Sequence, residues 1–195
     1  GYGSLSGSYA GVWDTRGPSF HIDSKVERLN IHQGNVKDMK VAMTYETGKL
    51  DVMATVENEQ MQGGVLLAYD LSDSLNFLST RGQLRIDELA AFGLDIKGGQ
   101  EALETSFEII HAGQENKSFT NLSLTDFKYT CDTAIFTIDK ISMEDNQKGD
   151  HNTTTLKSDV VDLFISGNFR ELRPAPFVFR LMQNYLPAYS VPQPK

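Results

Sequence analysis

The sequence predicts a mainly β protein: an elongated, curled antiparallel meander with one apolar concave face and one short helix at its C-terminal end. Three observations carry this prediction. Apolar residues recur at every second position through most of the chain; in 39–45, Met39, Val41, Met43 and Tyr45 alternate with Lys40, Ala42 and Thr44. The strand-like runs follow one another across short polar or glycine-containing connections with no helical crossover, which favours pairing between sequence neighbours. After Pro176 the period changes to that of a helix, with Phe177, Leu181 and Tyr185 recurring every fourth residue.

Taken in order, residues 1–19 are rich in Gly and Ser, with Tyr2, Tyr9 and Trp13 between them, and read as a loose N-terminal segment, loop or loose edge, ending at Pro18. A curled sheet is expected over 20–170. It begins with Val26, Leu29 and Ile31. The clearest hairpin follows: the 39–45 run turns at Glu46-Thr47-Gly48-Lys49 into Leu50, Val52, Ala54 and Val56. A second turn is expected at Met61-Gln62-Gly63-Gly64, leading into Val65, Leu67, Tyr69 and Leu71. A third is expected at Thr80-Arg81-Gly82, setting Leu75 and Phe77 opposite Leu84 and Ile86. Residues 88–104 fit neither period, and Phe107 with Ile109 reads as strand. Further alternation runs through Leu122 and Leu124, through Phe127, Tyr129 and Cys131, through Ala134, Phe136 and Ile138, and through Ile141 and Met143. A polar loop is expected over 146–152, and then a last strand with Val161, Leu163 and Ile165, continuing to Phe169. The total is roughly ten strands. Residues 171–195 form the C-terminal unit, an amphipathic helix stopped at Leu186-Pro187 followed by a tail.

The totals exclude several classes of function. A net charge of −8 and a pI near 5.0 leave no basic face for nucleic acid. The single cysteine, Cys131, excludes an internal disulfide and reads as a buried, inert thiol. No apolar run reaches the roughly 20 residues that span a bilayer as a helix. The N-terminus has no leader-like segment, so the chain reads as a fragment or a processed form.

Catalytic and ligand motifs are absent from the pattern. Asp150-His151 lies in polar sequence with no nucleophile elbow, and His21, His32 and His111 are dispersed without zinc-ligand spacing. The 145–150 stretch resembles a calcium loop only in composition. The carboxylate pairs Asp70 and Asp73, Glu101 and Glu104, and Asp159 and Asp162 read as solvated edges and turns. No enzyme, no cofactor and no metal are expected.

What remains is the apolar face: Val41, Met43, Tyr45, Leu50, Val52, Val56, Val65, Leu67, Tyr69, Leu84, Ile86, Phe136, Ile138, Leu163 and Ile165. The core of a closed sandwich and the lining of an open groove both require such a face, and the alternation is the same for either. Met39, Met43, Met53, Met61, Met143 and Met182 would add adaptable surface wherever they point inward.

Residues 153–189 carry a family resemblance. Leu156, Ser158 to Leu163, Ile165 and Gly167 to Phe169, followed by Asn184 to Pro187, give an order Leu-x-Ser-Asp-Val-Val-Asp-Leu-x-Ile-x-Gly-Asn-Phe and then Asn-Tyr-Leu-Pro. This resembles TamB/AsmA-type envelope proteins of Bacteroidota-like bacteria, and 122–144 is similar to the pair of strands that precedes the motif there. The resemblance covers about residues 80–190, and its motifs are strand alternation plus Ser-Asp and Gly.

It implies a long curled sheet of the β-taco kind whose concave face carries phospholipid acyl chains between inner and outer membranes, or supports outer-membrane assembly. It further implies a periplasmic or cell-envelope location and a membrane anchor outside this chain. An outer-membrane barrel protein would be a partner through the rest of the parent chain. On that reading the apolar residues line a lipid groove, and Phe177, Leu181 and Tyr185 cap its end. The alternative is a closed β-sandwich serving as a binding or adhesion module of the envelope or cell surface.

Overall fold

Eleven strands follow one another in chain order and pair only with their sequence neighbours, all antiparallel, in one sheet of a computed structural model that describes residues 3–14, 17–71, 76–94, 99–114, 116–132 and 134–168. They are β1 (Gly3–Asp14), β2 (Gly17–Ile31), β3 (Gly34–Glu46), β4 (Lys49–Glu57), β5 (Met61–Asp70), β6 (Asn76–Ile86), β7 (Glu101–Gln114), β8 (Lys117–Cys131), β9 (Ala134–Lys148), β10 (His151–Ser158) and β11 (Asp162–Gly167). A 3-10 turn, Leu89–Phe92, sits between β6 and β7. The described strands form this single open, curled sheet, with no second layer and no pairing of β1 with β11.

The β3–β4 hairpin shows how local sequence sets the register. Thr47 and Gly48 both have positive φ, 46° and 82°, as a tight turn matched to strand twist requires. Tyr45 then pairs with Leu50, Met43 with Val52 and Val41 with Ala54, so these apolar residues fall on one face, while Ala42 and Met53 pair on the other.

The curl has a local cause. In β2 and β3 the inner face passes from Val26 to Leu29 and from Met39 to Val36, with Glu27, Arg28, Lys37 and Asp38 exposed between them. Asp38 sits at φ 56°, a left-handed conformation that aspartate tolerates better than most residues. In β8 and β9 the same step takes Leu124 to Phe127 and Ile141 to Ile138, around Asp126 at φ 54° and opposite the exposed Asp139 and Lys140. The β7–β8 register slips at the same level, between Glu104 and Ser106. Irregularities of this kind bend a strand and increase its twist, which gives the long strands two arms around a corner.

The buried core lies inside the bend. Phe127, Tyr129 and Ile138 on one side of the corner join Ile141, Met143 and Leu156 on the other, with Val36, Ile86, Leu89 and Phe92 completing the cluster. Phe92 seats against Gly34, where an added Cβ would stand 2.6 Å from a ring carbon, so only glycine leaves room for it. β4 and β5, at 9 and 10 residues, are shorter than β2 and β3, at 15 and 13. The 3-10 turn is tied to their ends: Asp87 N donates to Gln60 O at 3.0 Å, and Gln60 Nε2 donates to Glu88 Oε2 at 2.9 Å.

Several expectations are corrected. The segment expected to be loose at 1–19 is strand over its described residues: β1 pairs with β2 from Gly3↔Leu29 to Asp14↔Gly17. An edge strand needs no apolar face to pair, so composition hides it. The turn expected at 61–64 lies earlier, at 58–60, where Asn58 Oδ1 accepts from the N–H groups of Gln60 and Met61 at 2.9 and 2.8 Å. The turn expected at Thr80-Arg81-Gly82 does not form, because β6 runs straight through it. A Cβ on Gly82 would meet the Gly64 carbonyl oxygen at 2.3 Å, so this glycine permits close backbone approach rather than reversal. The polar loop expected at 146–152 is the end of β9, a turn at Gly149 and the start of β10. The described part of the ambiguous 88–104 region contains the 3-10 turn and the start of β7. The C-terminal helix with Phe177, Leu181 and Tyr185, and Phe169 before it, lie outside the described residues.

Candidate apolar groove

Strand register places the expected lining residues on one face. Tyr45, Leu50 and Tyr69 are direct neighbours on β3, β4 and β5, and Met43, Val52 and Leu67 form the next rung. Val41 and Val65 flank Ala54, Val56 faces Gly63, and Gly63 faces Leu84. Ile86 continues through Leu103 and Tyr129 to Phe136, and Ile138 lies opposite Phe127. Leu163 and Ile165 on β11 face Leu156 and Thr154. The rungs also include residues that the alternation marked as strand but not as lining, Leu122, Leu124, Phe127, Tyr129, Ile141 and Met143, and Leu156, which the alternation did not mark. β2 adds Phe20 and Ile22, and the Phe20 ring stacks on Tyr45 with centroids 5.2 Å apart.

Exposure differs along the face. Met43, Tyr45, Leu50, Val52, Leu67 and Tyr69 are only half-buried, so the inner face of β3–β5 is open to solvent. Met143 and Leu156, on β9 and β10 in the same row as Met43, Val52 and Leu67, are 2% and 3% exposed. The inner face is therefore a groove along the early strands and a filled core along β8–β10.

The face is not wholly apolar, and Glu101, expected at a solvated edge or turn, is instead buried on it. Glu101, at the start of β7, is 1% exposed and accepts a hydrogen bond from the Tyr129 hydroxyl at 2.6 Å. Burial, and then that bond, push the Tyr129 phenol above its ordinary range. At the other end of the strands a row crosses from aromatic to polar. Phe20, Tyr45, Leu50, Tyr69 and Leu78 are followed by His111, Thr120, Asp145 and Thr154. His111 Nδ1 and Thr120 Oγ1 are 2.8 Å apart, and Thr154 Oγ1 donates to Asp145 Oδ1 at 2.5 Å. Sequence reasoning missed this row because each of these residues looks like solvated surface until the register aligns them.

The outer face carries the charge. Lys49 pairs with Asp70 at 3.5 Å and Arg85 with Asp87 at 2.9 Å, and His21 bridges Thr44 and Asp23 at 2.9 and 2.8 Å. Met53 points outward, unlike Met39, Met43, Met61 and Met143; with Leu66 it lines a shallow depression beside Arg81. Met182 lies outside the described residues. His151 lies near Ser166 and Asn168, far in the fold from His21 and His111. Among the described residues no group of His, Cys, Asp or Glu could hold a metal ion, and no helix is long and apolar enough to cross a membrane.

No family model, no curated protein and no solved structure matches the chain.

Proposed function

We propose that this chain is a segment of an envelope lipid conduit of the TamB/AsmA-like kind, whose inner face carries phospholipid acyl chains between membranes or in support of outer-membrane assembly. The observation that supports the reading best is the one open, curled sheet whose half-buried inner face is aliphatic and aromatic on strand after strand. A methylene moved out of water gains about 0.8 kcal/mol, so a dozen of them gain on the order of 10 kcal/mol before association costs. Adjacent rungs such as Met43–Val52–Leu67 and Val41–Ala54–Val65 are alike in chemistry. Moving a chain from one rung to the next therefore changes its free energy little, and headgroups stay in water at the open side. On this reading no catalytic group acts, and acyl chains are the ligand.

The experiment is transfer of a fluorescent phospholipid from donor to acceptor vesicles by the purified chain. The wild-type protein is expected to accelerate transfer. A folded variant with Val52→Asp and Leu67→Asp is expected to lose the acceleration. Equal transfer by the two proteins would remove the groove from the process.

A further inference from the structure

We propose that the open edge of β1 is a dimerisation surface, on which a second copy of this chain lays its own β1 antiparallel, centred on Tyr9. The inference goes beyond the conduit reading and does not rest on it. β1 is an edge of the sheet, paired with β2 alone among the described residues. In an antiparallel pair alternate residues turn their N–H and C=O away from the partner strand. One side of the 12-residue β1 therefore presents a row of donors and acceptors for a further strand. Edges of this kind are ordinarily blunted by lysine, proline, charge or shortness. β1 has none of these: Gly3 to Trp13 contain no charged residue and no proline, and Asp14 closes the strand. β11, the other edge of the described sheet, is 6 residues long and carries Asp162.

Charge favours the same strand of a second copy as the occupant. The chain carries a net charge of −8, so two copies repel unless they meet where carboxylates are absent. β1 against β1 is such a meeting, because residues 6–12 are uncharged on both sides. The pairing is also self-complementary. With Tyr9 opposite its copy, Ser8 faces Ala10, Gly7 faces Gly11 and Ser6 faces Val12, each pair occurring twice about a two-fold axis. Tyr9 and Val12 are 88% and 65% exposed, so both bring apolar surface that the partner strand would cover. Gly7 and Gly11 sit diagonally across from the opposing tyrosine, and an aromatic ring over glycine backbone is a favourable cross-strand arrangement.

The register also decides how the two sheets join. Tyr9 lies opposite Ile22 and Ile22 opposite Met43, which puts Tyr9 on the inner face. A Tyr9-centred pairing keeps the inner faces of both copies on one side, whereas a slip by one residue would set an inner face beside an outer one. The row Tyr9–Ile22–Met43 is then met by its own copy. Each β1 is used once, so the assembly closes at the dimer.

The test is sedimentation velocity of the purified chain, without lipid, over a roughly hundredfold range of micromolar concentrations. The wild-type protein is expected to pass from monomer to dimer as concentration rises. Tyr9→Lys, at an exposed edge position, sets two ammonium groups opposite each other and is expected to raise the midpoint about tenfold or more. In a Cys131→Ser background, Tyr9→Cys is expected to form a covalent dimer under air and copper phenanthroline, since opposite Cβ atoms on paired strands stand about 4.5–5.5 Å apart. Ser6→Cys in the same background is expected to stay monomeric on a denaturing gel, because its two copies would stand about 20 Å apart. A monomer at every concentration, a dimer that Tyr9→Lys leaves unchanged, or Ser6→Cys crosslinking as fully as Tyr9→Cys would each overturn the proposal. None of these outcomes bears on lipid transfer, so the conduit reading stands or falls separately.

Discussion

Leu67→Asp and Met143→Asp place the same carboxylate on the same face, yet they should differ sharply in stability. Leu67 is half-buried on β5, and an aspartate there keeps its charge in water at the open side of the sheet. The loss is part of the transfer free energy of one leucine, about 1–2 kcal/mol. Met143 is 2% exposed and is packed with Ile141 and Leu156 inside the bend. A charge at that position is buried with no cation facing it, which costs about 4–5 kcal/mol or more. Against a total stability of about 5–15 kcal/mol, the first variant stays folded and the second stands at or beyond the edge of unfolding. Urea titration followed by circular dichroism in the β-sheet band reads both. A Leu67→Asp midpoint as low as that of Met143→Asp would show that β5 belongs to a sealed core, and the division of the inner face into groove and core would fail.

Two further outcomes test the packing. Gly82→Ala is expected to destabilise by about 2 kcal/mol or more, because its Cβ would meet the Gly64 carbonyl oxygen at 2.3 Å and the Phe107 ring at 2.9 Å; a neutral result by urea titration would contradict the close β5–β6 approach. The raised phenol of Tyr129 predicts a pH dependence. Its folded-state proton is held more tightly than the unfolded one, so its contribution to stability is complete below the ordinary value of 10.0 and falls as pH rises above it. Tyr129→Phe should therefore flatten the alkaline loss of stability while removing one donor from Glu101; an unchanged alkaline slope would show that Tyr129 is not its source.

Much of the sheet was legible because burial on one face leaves a period of two. The β3–β4 hairpin follows from that period and one turn, and the register carries each expected lining residue from Val41 to Ile165 onto the same face. Where pairing needs no burial the pattern is silent, so β1, which is largely Gly and Ser with Tyr9 88% exposed at the sheet edge, reads as loop. Glycine misled twice, at Gly63 and Gly82, since a residue chosen for close backbone contact looks the same in sequence as one chosen for a turn. The polar row fails for a different reason: His111, Thr120 and Asp145 lie far apart in sequence, and only the register of three strands brings them into line. The corners at Asp38 and Asp126 were equally hidden, because each appears in sequence only as a pair of polar residues interrupting the alternation.

The central claim is that the inner face of the early strands is accessible to lipid while the outer face is not. Leu67 and Ala68 are adjacent on β5, with Leu67 between Val52 and Thr80 on the inner face and Ala68 between Asp51 and Ser79 on the outer. A photo-crosslinking residue at each position, irradiated in the presence of phospholipid vesicles, tests the claim most directly. Crosslinked phospholipid at position 67 and none at 68 is the predicted result. No lipid at 67 in folded protein, or equal labelling at both positions, would contradict it.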